Sequence, residues 1–218
     1  GYANGYSAIE RAVGADNARA LHALSIEGME FVRETIRDLN IASAAPVHGI
    51  MSVSRHEDGD ELKAQADQLQ REFDYPLEYL GRDQVQGLLH SKRYFQALRD
   101  PQAFHMHPLN YLRAVGREIE RLGGNVFEMS GVLSGVFSGP EKSLRTAGGQ
   151  IRARNVVIAT GGYTAGLIPK LKRAYLPIAT YVMLSEPQPD LVAAAVATTD
   201  AVLDSRRAGD YYRVVDDG

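Results

Sequence analysis

Apolar and polar positions alternate along the chain in blocks whose period changes from one block to the next. From about Asp16 to Leu39, Ala20, Leu21, Leu24, Ile26, Met29, Phe31, Val32, Ile36 and Leu39 keep roughly helical spacing, with Glu30, Arg33, Glu34 and Arg37 on the other side. That spacing predicts an amphipathic core helix. Before it, "SAIE" offers Ser7 as a cap and Glu10 three residues on, a pair able to satisfy each other's free N–H groups at a helix start. "VHGIMSVSR" alternates as a strand does, and "DGDELKAQADQLQREF" is a polar helix with a narrow stripe of Leu62, Ala66 and Leu69, expected at the surface. "PLEYLG" reads as a short strand, "RDQVQGLL" as a short helix and "YFQALRD" as a further strand or hairpin arm.

The clearest unit is "MHPLNYLRAVGREIERLGGNVFEMSGV". Pro108 starts a helix, Leu112, Val115, Ile119 and Leu122 stripe it, and Gly123-Gly124 stop it before the strand "NVFEMSG". "VLSGVFSG" and "SLRTAGGQIRA" follow as a glycine-punctuated meander leading into "NVVIATGG", a run of small and branched apolar residues that predicts a buried strand ending on Gly161-Gly162. "YLPIATYVMLSE" is a long strand candidate, "PDLVAAAVATTDAV" a helix and "GDYYRVVDD" a final strand. Helix-strand units interleaved with hairpins indicate a mixed α/β (α+β) fold. One buried parallel sheet would carry "NVFEM" and "NVVIAT", and a second, antiparallel sheet the rest. Ligands of open α/β sheets sit beyond the carboxyl ends of the strands, where "ATGG" falls.

Composition narrows the classes. The 218 residues carry a net charge of −3, with 44% hydrophobic and 23% charged positions, which argues against disorder and against a surface built for nucleic acid. Cysteine is absent, so thiolate chemistry and disulfides are excluded. No apolar run reaches the ~20 residues of a membrane-spanning helix, and the opening "GYANGYSAIERAVG" lacks the basic and apolar regions of an export signal, so a cytoplasmic protein is expected. A glycine-rich turn at one end and a strand entering an Asp-Gly turn at the other suggest the interior of a larger protein.

The blocks "HPLNYLRAVGREIERLGGNVFEMSGV", "IRARNVVIATGGYTAGLIP", "YLPIATYVMLSEP" and "DSRRAGDYYRVVDDG", in this order and spacing, resemble the middle of FAD-dependent amine or amino-acid oxidoreductases of the D-amino-acid oxidase type, in particular the γ-glutamylputrescine oxidase-like branch. The resemblance implies that the backbone of Val132 reads the FAD adenine. It also implies that Ala159, Thr160, Gly161 and Gly162 lie along the pyrophosphate and ribityl chain. By the same likeness, residues 1–46 lead from the FAD-binding part, a Rossmann-like sheet, and 105–174 belong to it. Residues 47–104 and 175–218 would form the substrate part. The G-x-G-x-x-G turn with which such proteins begin has no match here, since "GYANG" follows no strand.

For the substrate side the resemblance points to "GDYYRVV". Neighbours in a strand face opposite ways, so only one of Tyr211 and Tyr212 would face a pocket, with Arg213 on the face of Tyr211. A tyrosine there could position an amine, and an arginine could pair a carboxylate bidentately. His48 is a further pocket candidate. His105 and His107 have the spacing of a zinc pair, but no third ligand is evident and no metal is expected. The implied chemistry is oxidation of a C–N bond by hydride transfer to flavin, with a small amine or amino acid as partner and no obligatory side-chain base. A cofactor-free scaffold that needs another chain is the principal rival, and a nicotinamide-linked dehydrogenase a weaker one.

Overall fold

The computed structural model describes residues 5–164, 166–206 and 209–215. In chain order the elements are α1 (Tyr6–Val13), α2 (Ala15–Asp38), β1 (Val47–Ser54), α3 (Gly59–Phe73), β2 (Glu78–Leu80), α4 (Arg82–Leu88), β3 (Gln96–His105), α5 (Pro108–Arg121), β4 (Ser134–Val136), β5 (Lys142–Arg145), β6 (Gln150–Ala153), α6 (Pro169–Lys172), α7 (Pro189–Ala195), β7 (Ala201–Asp204) and β8 (Tyr211–Tyr212). The chain divides into one unit of Gly1–Arg121 with Ser185–Gly218 and another of Leu122–Leu184. The mixed α/β class is as expected.

The first unit is built on a five-stranded mixed sheet in the order β2-β3-β1-β7-β8. β1 pairs antiparallel with β3 and parallel with β7, which returns from far along the chain to place Ile50 beside Ala201 and Val53 beside Asp204. Alternation sends Met51, Val53 and Val202 to one face, where they pack with Val85 of α4, Leu89 just after it, and Tyr94 and Ala97. Met51, Leu89, Val53, Val85 and Val202 are the largest fully buried side chains described. At roughly 1.5–3 kcal/mol for each such side chain, this face supplies the strongest hydrophobic stabilisation in the unit. The helices α1, α2 and α3 are held by a separate cluster of Tyr6, Ala18 and Leu69.

Several local expectations shift once packing is included. Helix α1 begins after Gly5 rather than at a serine cap, and Ser7 lies inside it with its hydroxyl donating to Gln68 at 3.3 Å. On α2 the inner stripe runs through Ala18, Leu21, His22, Met29, Val32, Arg33 and Ile36, while Ala20, Leu24 and Phe31 face out. Arg33 is drawn inward because its guanidinium sits 5.3 Å over the Phe104 ring and donates to the Gln102 carbonyl at 2.6 Å. Along α5, Tyr111 and Ala114 pack against the cluster of Ile36, Ile41 and Ala44, but Leu112 and Ile119 of the expected stripe are exposed.

One bond arrangement fixes this sheet. Asp200, almost fully buried just ahead of β7, accepts from Arg99 Nε at 2.6 Å and Nη2 at 3.2 Å, and Arg99 also donates to Glu78 of β2 at 3.0 Å. Hydrogen bonding to Asp200, then to Glu78, raises the Arg99 pKa further above its ordinary value. The pair fits because β1 bulges between His48 and Ile50, where Gly49 takes φ +106°. A Cβ there would overlap the Asp200 carboxylate, 2.6 Å from its Cγ, and stand 3.2 Å from Arg99 Nη2.

In the second unit β4, β5 and β6 form the expected antiparallel meander. The predicted strands "NVFEMSG" (125–131), "NVVIAT" (155–160) and "YLPIATYVMLSE" (175–186) are not strands. Val157 is 88% exposed and Val182 98%. The physical reason is pairing: a buried strand needs ladder partners on its edges, and no described strand pairs with these segments.

Gly49→Ala should therefore destabilise the first unit by about 3 kcal/mol or more, combining left-handed strain with disruption of a buried charge pair. Urea denaturation of the wild type and variant measures this directly. Burial alone would raise the Asp204 carboxyl, but the Arg206 amide and guanidinium, with the charge of Arg55, outweigh it and hold the pKa below its ordinary value. Stability from this group is present above the unfolded carboxyl's range and is lost as pH falls through the depressed folded value. Melting curves from neutral to acid pH should show that loss, and Asp204→Asn should make the pH dependence shallower.

Candidate functional site

In the second unit Gly161 and Gly162 form a turn stiffened from within. Gly161–Thr164 is one turn of 3-10 helix, entered with φ +52° at Gly161. The buried Thr164 hydroxyl donates to the Gly161 carbonyl at 2.9 Å, so the Thr160 hydroxyl, 2.5 Å from Thr164 Oγ1, acts as donor in that contact. Tyr175 donates to the same Gly161 carbonyl at 2.8 Å. The turn is held by side-chain hydroxyls while Ala159, Thr160, Gly161 and Gly162 remain exposed.

The two glycines have different reasons. Gly161 has nothing within 4 Å of an added Cβ, and its glycine is required by the left-handed backbone. Gly162 has no such φ, and an added Cβ would meet Pro177 Cβ at 3.7 Å, an ordinary contact. The chain itself therefore leaves open space over Gly161, and it would accommodate a methyl group at Gly162, which it does not require to be glycine. This exposed, small-residue turn fits the close approach of a cofactor backbone. Val132 is half-buried in the same unit and precedes Leu133, whose amide bonds to the Arg145 carbonyl at 2.8 Å, so Val132 stands just outside the β4–β5 pairing.

In the first unit, Tyr211 pairs with Leu203 at the sheet edge and is 75% exposed. Tyr212 pairs with Val202, packs on the main core and contacts the Tyr94 hydroxyl at 3.5 Å. Burial, then the bond to Tyr94, raises its phenol, which stays protonated as a donor through the neutral range. β8 ends at Tyr212, so strand alternation does not govern Arg213. Instead the half-buried Arg213 places Nη1 2.8 Å from His105 Nδ1, and His105 Nε2 lies 2.9 Å from the Thr199 carbonyl. Among the described residues Arg213 has no carboxylate partner, whereas Arg55, Arg99 and Arg206 all do. His48 is exposed and its ring contact is Phe104, at 6.2 Å.

Sequence spacing thus found Arg213 but missed its partners. His105 stood out only as half of a possible zinc pair, and Thr199 carried no signal. Nothing local links residues 108 positions apart. A cavity of about 580 Å³ lies under α1–α3 in the same unit, lined by Tyr6, His22, Tyr75, Asp100 and Phe104 among others. None of the sequence-predicted site residues lines it. Among the described residues no helix is long and apolar enough to cross a membrane.

Stability measurements separate the two glycines. Gly161→Ala should cost about 1 kcal/mol because an L-residue resists the left-handed region. Gly162→Ala should leave the thermal midpoint unchanged. Calorimetry of both variants checks the pair.

The profile of the FAD dependent oxidoreductase family, DAO, matches residues 3–218. The chain is 30% identical to the γ-glutamylputrescine oxidoreductase of Escherichia coli (strain K12) over 99% of its length and 51% of that protein. It is 26% identical to the probable oxidoreductase OrdL of Haemophilus influenzae, over 98% of this chain and 51% of that one. The chain therefore spans about half the length of the curated relatives it matches. Among solved structures, glycine oxidase from Geobacillus kaustophilus aligns with a TM-score of 0.58 at 20% identity, over 86% of this chain and 50% of that one. L-proline dehydrogenase from P. horikoshii aligns with a TM-score of 0.62 at 15% identity, over 86% and 51%. These two likenesses concern the fold.

Proposed function

The chain belongs to the DAO family of FAD-dependent oxidoreductases, and from that premise we propose that it forms part of a cytoplasmic flavoenzyme oxidising a C–N bond of a small amine or amino acid. FAD, when bound, supplies the acceptor for the hydride that leaves the carbon bearing nitrogen. The residues assigned to hold it are Val132, by its backbone, and Ala159, Thr160, Gly161 and Gly162, along a turn rigid enough to present a fixed backbone surface. The observation that carries this reading is the family match over residues 3–218. Gly162, a glycine that neither its φ nor its neighbours require, is compatible with close approach of a ligand.

Residues 105–174 are assigned to the FAD-binding part, 1–46 to a helical segment leading from it, and 47–104 and 175–218 to the substrate part. That β1–β3 share one sheet with β7 and β8 supports grouping the last two segments. Within that sheet we assign Tyr211, Tyr212, Arg213 and His48 to the substrate side. Tyr212 contributes a phenol whose one proton is donated to Tyr94, so that its oxygen lone pairs are what it offers a substrate N–H. Arg213 contributes a guanidinium that has no carboxylate partner among the described residues, suited to anchoring a substrate carboxylate. Anchoring at a distance from the reacting carbon restricts its orientation and lowers the entropic part of the barrier.

Gly162→Ala tests the cofactor assignment without the ambiguity of an unfolded variant. The expected result is an unchanged thermal midpoint with a reduced ratio of flavin to protein absorbance in the flavin-loaded protein. A full complement of FAD at the same midpoint would remove Gly162 from the cofactor contacts, and a wild-type protein that takes up no flavin would overturn the reading as a whole.

A further inference from the structure

The hydrogen bonds around His105 admit one protonation pattern. A backbone carbonyl only accepts, so Nε2, 2.9 Å from the Thr199 carbonyl, carries a proton and donates it. A guanidinium only donates, so Nδ1, 2.8 Å from Arg213 Nη1, is unprotonated and accepts. His105 is therefore the neutral Nε2–H tautomer, fixed from both sides.

The choice of a neutral acceptor matters. Arg99 is bonded to Asp200 and Glu78, and Arg206 to Asp204 and Asp210, so carboxylates compensate those guanidinium charges. At Arg213 the same service of holding the group in place is performed by an imidazole that brings no negative charge. One amino group is tied down and the positive charge is left uncompensated among the described residues. With Nη1 committed to His105, the Nε and Nη2 edge remains as the two-pronged fork that matches a carboxylate. A half-buried guanidinium in that condition favours an anion as its next neighbour.

Resting on the proposed role of Arg213 as the anchor of a substrate carboxylate, we infer that His105 is its positioning residue. Thr199 sets the tautomer, His105 sets the rotation of the guanidinium, and Arg213 presents the fork. His105 need not touch the substrate. Its effect should appear selectively in recognition of the carboxylate.

Butyrate and butyramide, titrated calorimetrically into the flavin-loaded protein, test the chain of contacts because they differ in the charge that the fork reads. His105→Leu should weaken butyrate binding about tenfold, corresponding to about 1.4 kcal/mol, and leave butyramide unaffected. His105→Asn, which returns an acceptor near the Nδ1 position, should recover most of the loss. Nitrogen chemical shifts of the wild-type histidine should show a protonated Nε2 and an unprotonated Nδ1; the reverse tautomer would overturn the inference before any variant is made. If Arg213→Met abolishes the preference for butyrate while His105→Leu changes nothing, the positioning role fails and the anchor stands. Unchanged butyrate binding in Arg213→Met would instead remove the anchor and with it the proposed substrate side. Equal losses in the Leu and Asn variants would also reject positioning by a hydrogen-bond acceptor.

Discussion

The buried carboxylate of Asp200, gripped by Arg99 across the space that Gly49 leaves empty, is the contact on which the five-stranded sheet depends. It joins β3 to a segment 101 residues further along the chain and, through Glu78, reaches β2 as well. Two ions removed from water gain little net free energy over a well-packed apolar substitute, but a partner left alone is costly. The arrangement therefore selects one way of bringing the late segment back more than it adds to stability. Asp200 immediately precedes β7, and fixing it starts β7 beside Ile50 in the observed parallel register.

The same fixed point reaches the candidate substrate side in two steps. Thr199 is the neighbour of Asp200, and its carbonyl receives the His105 proton. His105 terminates β3, the strand that also carries Arg99, so both ends of the carbonyl–imidazole contact are held by the elements that the charge pair clamps. Arg213 then takes its orientation from a group that is itself restrained. One arginine organises the sheet through carboxylates that neutralise its charge, whereas Arg213, proposed for recognition, is held among the described residues by a neutral imidazole.

Much of the fold was legible wherever local periodicity and local partners coincide. The stripe of Leu62, Ala66 and Leu69 on α3 packs as its spacing requires, and the β4–β6 meander closes over short glycine turns. Legibility ended where a segment depends on something distant. The apolar run from Asn155 to Thr160 has the composition of a buried strand, yet hydrophobicity only states that a surface favours cover; it does not provide the ladder that would make it a strand. Arg33 was placed on the solvent face because its charge was weighed and its stem was not, and the Phe104 ring could not be foreseen from spacing. His105 was visible as a residue but not as a partner, because its role is defined by Thr199 and Arg213, both roughly a hundred positions away.

The glycine pair shows how structure divides a motif that sequence presents as one. Read alone, Gly161-Gly162 admits either a tight turn or a ligand contact, and both need small residues. In three dimensions the needs separate: Gly161 has the left-handed φ that a turn imposes, and Gly162 has neither that φ nor a neighbour that a methyl group would displace. The turn explains the first glycine completely and leaves the second without an internal cause. Bonds from Thr164 and Tyr175 to the Gly161 carbonyl meanwhile restrict movement of the backbone. A restrained backbone with a glycine that its own packing does not require has the features of a surface suited to close contact, which is why the proposed contact with the extended, phosphate-bearing cofactor of the family is placed there.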